Sequence, residues 1–210
     1  RIAEIGACVL GGCCGTTPAH MQAVTEALEN AVPRGIAEKS YTFVSSYTHA
    51  VEIGKKPVLI GERINPTGKA KLKAALREHN MEYILNEGVR QQEKKVDILD
   101  VNVGLPEIDE AEMLCEAVYG LQEIIDLPLQ LDTSDAAAME RALRMYNGKP
   151  MINSVCGKKE SMEKIFPLAA KYGGVVVALT LDENGIPDSA EGRAEIAERI
   201  YNTALSYGIK

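Results

Sequence analysis

Tryptophan is missing from this chain and phenylalanine occurs only twice in 210 residues, which excludes aromatic platforms for stacking nucleic-acid bases as its organising feature. No apolar run approaches the ~20 residues that a membrane span needs. Positive charge is also scarce: 23 Lys and Arg stand against 30 Asp and Glu, a formal net charge of −7. The basic residues are dispersed along helical stretches, so neither nucleic acid nor a membrane surface is an expected partner. The three histidines, His20, His49 and His79, share no metal-ligand spacing. Five cysteines, Cys8, Cys13, Cys14, Cys115 and Cys156, are an odd number at no disulfide-like spacing, which points to a reducing, cytoplasmic setting. What is present is an aliphatic, acidic chain, 46% hydrophobic and 25% charged, with ample material for a core and a small molecule as its expected ligand.

From residue 57 onward, short apolar runs alternate with longer amphipathic ones. PVLIG (57–61), DILDV (97–101), LPLQL (127–131), PMI (150–152) and VVVALTL (175–181) read as buried strands. Helical patterns cover 70–95, broken near Asn80, and then 109–125, 136–146, 159–172 and 189–207. In the second of these, Met113, Leu114, Val118, Leu121, Ile124 and Ile125 recur at three- and four-residue steps and give one apolar face. Alternating strand and helix means parallel strands. Spacing alone fits either an open doubly wound sheet or a (β/α)8 TIM-type barrel. The barrel is favoured because a polar residue ends every strand: Glu62, Asp100 and Asn102, Asp132, Asn153 and Asp182. In a barrel all of these converge on one mouth.

The first residues differ. RIAEIGA reads as the last turns of a helix, 7–10 as a strand that buries Cys8, and 18–32 as a helix with Thr17 at its N-cap and Pro18 at its first position. Residues 33–56, with only YTFVSSY strand-like, read as a connection. The chain opens on Arg1 and stops after a helix where a strand is expected, so it reads as an internal stretch of a longer protein.

Two motifs carry chemistry. Cys13 and Cys14 lie side by side in GGCCGT, and adjacent thiols can reach one zinc ion where the backbone turns sharply; two small residues filling a tight turn are the alternative. The acids and amides at the strand ends suit a flat heterocycle with several in-plane N–H donors, such as a pterin, because a carboxylate accepts two of them at once. Against that stands the ordinary use of Asp to cap the loop or helix that follows a strand. Asn65-Pro66-Thr67-Gly68 is a turn by composition.

GGCCGTTPAHM, then IGERINPTG, LDVNVG, LDTSD and INS in that order, resemble the cobalamin-dependent methionine synthase family at the junction of its homocysteine-binding and pterin-binding barrels. The resemblance implies three stretches: 1–32 as the C-terminal end of a homocysteine-binding zinc barrel, 33–56 as an interdomain linker, and 57–210 as the first five βα units of a pterin-binding barrel. It implies zinc held by Cys13 and Cys14 with a third ligand from elsewhere. It also implies a folate pocket lined by Glu62, Asn65, Asp100, Asn102, Asp132 and Asn153, with Asp132 on the pterin's amide and amino edge. Asn153 would sit near N5, as the catalytic residue. The implied reaction moves a methyl group from 5-methyltetrahydrofolate to cobalamin on a separate cobalamin-binding domain, and from there to zinc-bound homocysteine. The competing readings are a corrinoid-protein methyltransferase, a dihydropteroate synthase-like protein, and a non-catalytic binding module.

Overall fold

The computed structural model describes residues 2–32 and 40–209, which fall into two units, Arg1–Ser40 and Tyr41–Lys210. Residues 33–39 of the expected connection lie outside the described residues.

In the first unit, a hydrogen-bonded turn over residues 2–6 replaces the expected helix end. Residues 7–10 run without strand pairing, and Cys8 is exposed. This corrects the expected strand and its buried cysteine: a strand exists by pairing with a neighbour, and none stands beside it among the described residues of this unit. The helix forms as expected, as α1 (Pro18–Leu28). Its N-terminus is a capping box in which the Thr17 side chain accepts from the His20 backbone and the Thr17 N–H donates to His20 Nδ1 at 3.1 Å. His20, unassigned from sequence, is therefore a capping residue.

The second unit begins with a hairpin, β1 (Thr42–Ser45) and β2 (Ala50–Ile53), paired antiparallel. Alternation follows: β3 (Ile60–Ile64), α2 (Ala70–Arg77), α3 (Met81–Glu93), β4 (Ile98–Val101), α4 (Glu110–Ile124), β5 (Leu129–Asp132), α5 (Ala136–Met145), β6 (Met151–Cys156), α6 (Lys159–Tyr172), β7 (Val175–Leu179) and α7 (Ala190–Ser206). The break between α2 and α3 falls at Asn80, whose side chain accepts from Tyr83 N and starts α3. Strands β3 to β7 form one parallel sheet in sequence order. A doubly wound sheet reverses its order at a switch point. An uninterrupted order is an arc of a TIM-type barrel, the fold class expected from the strand ends.

Side chains of each strand alternate between two environments. Leu99, Val101, Leu129, Leu131, Ile152 and Val155 pack with the buried faces of α2 to α7 in the main core. Each fully buried aliphatic side chain there contributes roughly 1.5–3 kcal/mol of hydrophobic stabilisation. The opposite, concave face opens on an apolar floor of Ile98 and Met151 with Ile60 and Val175 beside them. Val44 of the hairpin closes that floor and is wholly buried. Tyr146 pins the hairpin in place: its hydroxyl donates to Ser45 O at 2.8 Å and accepts from Leu129 N at 2.9 Å. Burial pushes the tyrosine's pKa up to about 12, so it stays a neutral donor. The strand-like YTFVSSY thus becomes part of the barrel unit.

Candidate functional site

One step along each strand from the apolar floor, the concave face turns polar. Glu62 lies on β3, Asp100 on β4, Gln130 and Asp132 on β5, and Asn153 on β6. Register makes them neighbours: Asp100 is the Cα partner of Gln130, and Asp132 of Asn153. Across β4 and β5 the pairing is reciprocal. Gln130 Nε2 donates to Asp100 Oδ1, and Asn102 Nδ2 donates to Asp132 Oδ2 at 2.9 Å. Each strand supplies one acid and one amide, and each acid is held by the other strand's amide. Asn102 is spent at both ends, since its Oδ1 accepts from Gly104 N at 3.0 Å; it positions Asp132. Among the described residues Asp132 Oδ1 has no hydrogen-bond partner, and Asp132 is in phase along β5 with the inward Gln130.

Burial dominates the electrostatics. Asp100 is 3% exposed, and desolvation pushes its pKa up to about 6. The Gln130 and Asn153 amides oppose that rise, while the negative charges of Asp132 and Glu62 add to it. Burial likewise raises Asp132 above the usual carboxylate range, against the donation from Asn102. Glu62 is more exposed and pairs with Lys69 at 3.6 Å. Asn65 sits in the loop after β3, where its Oδ1 accepts from Thr67 N at 3.0 Å and shapes the Asn-Pro-Thr-Gly turn.

The capping alternative holds for other acids. Asp109 and Asp135 cap α4 and α5 through Glu112 N at 2.9 Å and Ala137 N at 2.7 Å. Asp182, expected at the end of a strand, lies in the loop three residues past β7 and accepts from Asn184 N at 2.9 Å and from Arg199 at 3.0 Å, so it secures its own loop. Asp100 and Asp132 cap nothing. Sequence reading missed Gln130, although its signal was available: it lies in phase with Asp132 as a polar residue at an inward position of an apolar strand, LPLQLD. It also missed Thr133, 4% exposed, whose hydroxyl donates to Glu110 at the start of α4 and tethers the loop after β5.

In the first unit the glycines of GGCCGT have separate reasons. A Cβ on Gly12 would stand 2.2 Å from the Thr16 side chain, and Gly15 has φ +83°, which glycine adopts without strain. The turn closes with Thr16 N on Cys13 O at 3.0 Å and Cys13 N on Thr16 Oγ1 at 3.0 Å. It leaves both thiols free and exposed, with Sγ atoms 3.8 Å apart. The Cys14 backbone amide, then its side chain, hold the Cys13 thiol below the ordinary cysteine range. Two thiolates on one tetrahedral zinc at ~2.3 Å stand about 3.8 Å apart, so the pair fits two corners of such a site. No cluster of three or more metal-ligating side chains occurs among the described residues. Nor is any helix among them long and apolar enough to cross a membrane.

A TIM-type arc whose strand ends gather acids and amides on one concave face defines a class of small-molecule-binding barrel. The family model for pterin binding enzymes matches residues 61–208, and the chain belongs to that family. It is 32% identical over 217 residues to a methionine synthase of Mycobacterium leprae (strain TN), covering 98% of this chain and 18% of that protein. It is 33% identical over 209 residues to the methionine synthase of Mycobacterium tuberculosis (strain ATCC 25618 / H37Rv), covering 96% and 17%. The chain thus spans less than a fifth of the length of these relatives. Among solved structures, the Yersinia pestis DHPS with a pterine-sulfa conjugate superposes with a TM-score of 0.59 at 18% identity, covering 80% of this chain and 61% of that one. The 7,8-dihydropteroate synthase of Vibrio fischeri ES114 gives 0.53 at 19%, covering 80% and 63%. Both show the shared barrel fold.

Proposed function

We propose that this chain is the pterin-binding region of a methionine synthase. It binds 5-methyltetrahydrofolate so that the N5 methyl can pass to cobalamin on a separate cobalamin-binding domain, and from there to homocysteine. The observation that carries the reading is the reciprocal acid–amide pairing of β4 and β5, which leaves Asp132 Oδ1 without a protein partner, beside Asn153 in register. A buried carboxylate held from behind accepts the amide and amino N–H groups along a pterin's edge, and burial strengthens each bond. Asn153, on the adjacent strand, would make the polar contact to the ring's reacting nitrogen. A tertiary amine is a poor leaving group, so N5 must gain a proton or strong hydrogen bond as the methyl departs. Glu62, on β3, and Asn65, in the loop after it, would border the same ligand. The methionine synthase relatives support this chemistry over that of a dihydropteroate synthase, and so does the cysteine pair, for which a dihydropteroate synthase has no use.

Calorimetric titration with 5-methyltetrahydrofolate tests the reading. Saturable binding at about one equivalent per chain is expected. Absence of binding, or formation of dihydropteroate from 4-aminobenzoate and a pterin pyrophosphate, would overturn it.

In the same reading, residues 1–32 close a homocysteine-binding module in which Cys13 and Cys14 supply two zinc ligands, the third coming from outside the described residues. Zinc in that position keeps the homocysteine thiol deprotonated at neutral pH. The five free cysteines fit a cytoplasmic protein. In the intact protein, Cys13→Ser or Cys14→Ser is expected to cut zinc from about one equivalent to under roughly a tenth, by elemental analysis. Undiminished zinc would remove the pair from the site.

A further inference from the structure

Strand β3 breaks its own alternation. Ile60 packs on the apolar floor of the concave face, yet Ile64, four residues on, is wholly buried in the core on the helix side with Leu72 and Leu76 of α2. In a regular strand those two positions share a face. The register gives the reason: Gly61 pairs with Leu99 and Ile64 with Val101, so Glu62 and Arg63 together stand against Asp100. This is a bulge, a rare feature of parallel pairs that re-aims side chains beside active sites. The peptide joining the two bulged residues is held at both ends by side chains. Its carbonyl, that of Glu62, accepts from Lys69 Nζ at 3.0 Å, and its N–H, that of Arg63, donates to Gln91 Oε1 at 2.9 Å. Gln91, on α3, is 6% exposed and is itself anchored one turn back, where its Nε2 donates to Glu87 O at 3.2 Å. Gly61 makes room for it. A Cβ there would stand 2.6 Å from Gln91 Oε1 and 3.2 Å from Val96 Cγ1. A buried amide gains little beyond making good its own desolvation, so packing alone does not account for Gln91.

We infer that Gln91 and Lys69 are positioning residues: between them they hold the Glu62–Arg63 peptide as a bulge, and the bulge gives Glu62 and Asn65 together to the concave side of the barrel. Without the extra residue the even positions would keep one face, so Ile64 would follow Glu62 to the concave side and Asn65 would fall on the helix side. With it, Ile64 goes into the core and Asn65 takes the concave-face phase. The ladder resumes at once, since Asn102 N donates to Ile64 O at 2.9 Å, and Asn102 is the residue that holds Asp132. The bulge therefore sets the end of β3 against the acid–amide set of β4 and β5. That Glu62 and Asn65 touch a folate rests on the pterin-binding reading; the clamp on the peptide does not.

The test is Gln91→Met, which keeps length and volume and removes the acceptor. Amide hydrogen exchange reads the clamp directly: relative to the amides of Leu99 on β4 and Leu131 on β5, that of Arg63 should exchange about tenfold faster than in wild type, the loss of one buried hydrogen bond. Affinity for 5-methyltetrahydrofolate should fall about tenfold. In a background carrying Glu62→Ala and Asn65→Ala the same substitution should change affinity less than about twofold. Gln91→Glu is the rescue. In either protonation state it keeps an oxygen for the Arg63 N–H, so it should hold both the Arg63 exchange and the affinity within about threefold of wild type, whatever it does to the melting temperature. If Gln91→Met fails to fold, Lys69→Met carries the test from the other end of the peptide, with the same faster Arg63 exchange expected. An Arg63 amide that exchanges at the wild-type rate in a folded variant would overturn the inference. So would an affinity loss as large in Gln91→Glu as in Gln91→Met, or one undiminished in the doubly substituted background. A wild-type chain that ignores 5-methyltetrahydrofolate would sink the pterin reading alone, and the Arg63 exchange with its Gln91→Glu rescue would still decide the clamp.

Discussion

Asp132→Asn is expected to lose affinity for 5-methyltetrahydrofolate by about two to four orders of magnitude while unfolding at or above the wild-type temperature. The binding loss follows from counting bonds. A carboxylate that accepts two N–H groups of the ring contributes two charge-assisted hydrogen bonds, each worth roughly 1.5–3 kcal/mol, and tenfold in affinity is about 1.4 kcal/mol. The asparagine keeps the shape but offers one acceptor and one donor, so an N–H of the ligand meets an N–H of the protein. Stability moves the other way. Burial raises Asp132 above the usual carboxylate range, so the folded state holds the ionised form at a cost that a neutral amide avoids. Calorimetric titration and a thermal melt on one preparation separate the effects. Retained affinity would exclude Asp132 from the ligand's edge, and a collapse in stability would make it a structural acid.

Most of the barrel was legible because its physics is local and repetitive. Alternation of apolar runs with amphipathic stretches placed all five parallel strands and their helices to within a few residues, and Asn80, Asp109 and Ser189 start helices by accepting from backbone amides three residues on. Three things were not legible. The hairpin of residues 42–53 has too short a pattern to be told from a linker; its place is set by contacts a hundred residues away, through Tyr146 and Ser45. The expected strand at 7–10 had the right composition, but strand structure requires a partner that no local pattern supplies. Lastly, the division of labour among polar residues at the strand ends depends on register. Asp100 and Asp182 look alike in sequence, each after an apolar run. Only the pairing of β4 with β5 shows that Asp100 is clasped from the next strand, whereas Asp182 is taken by Arg199 and its own turn. The amides were the harder half of that pattern, since Gln130 and Asn102 act on the neighbouring strand's acid and not on anything near them in sequence.

Asp100→Asn should be more stable than wild type near pH 7.5 and no more stable near pH 4. The sign follows from where the proton sits. Unfolded, the carboxyl titrates near its ordinary 3.8, whereas in the folded protein burial carries it to about 6. Below the lower value both states are protonated and the group contributes no pH dependence. Between the two, the unfolded chain releases its proton while the fold retains it, so stability falls as pH rises, by about 1.4 kcal/mol per pH unit. Above about 6 the whole cost is present, on the order of 3 kcal/mol. The asparagine variant carries none of it, so the difference in urea midpoint between variant and wild type should open between pH 4 and pH 7.5; a difference independent of pH would refute the buried-charge account. The same variant should bind 5-methyltetrahydrofolate less tightly, because the Gln130 amide, now facing another amide in place of the carboxylate, no longer has an acceptor that dictates how it must turn. An acid that weakens the fold at neutral pH and orders its neighbours is accounted for by the ligand it prepares for, since a chain selected for stability alone would have no use for it.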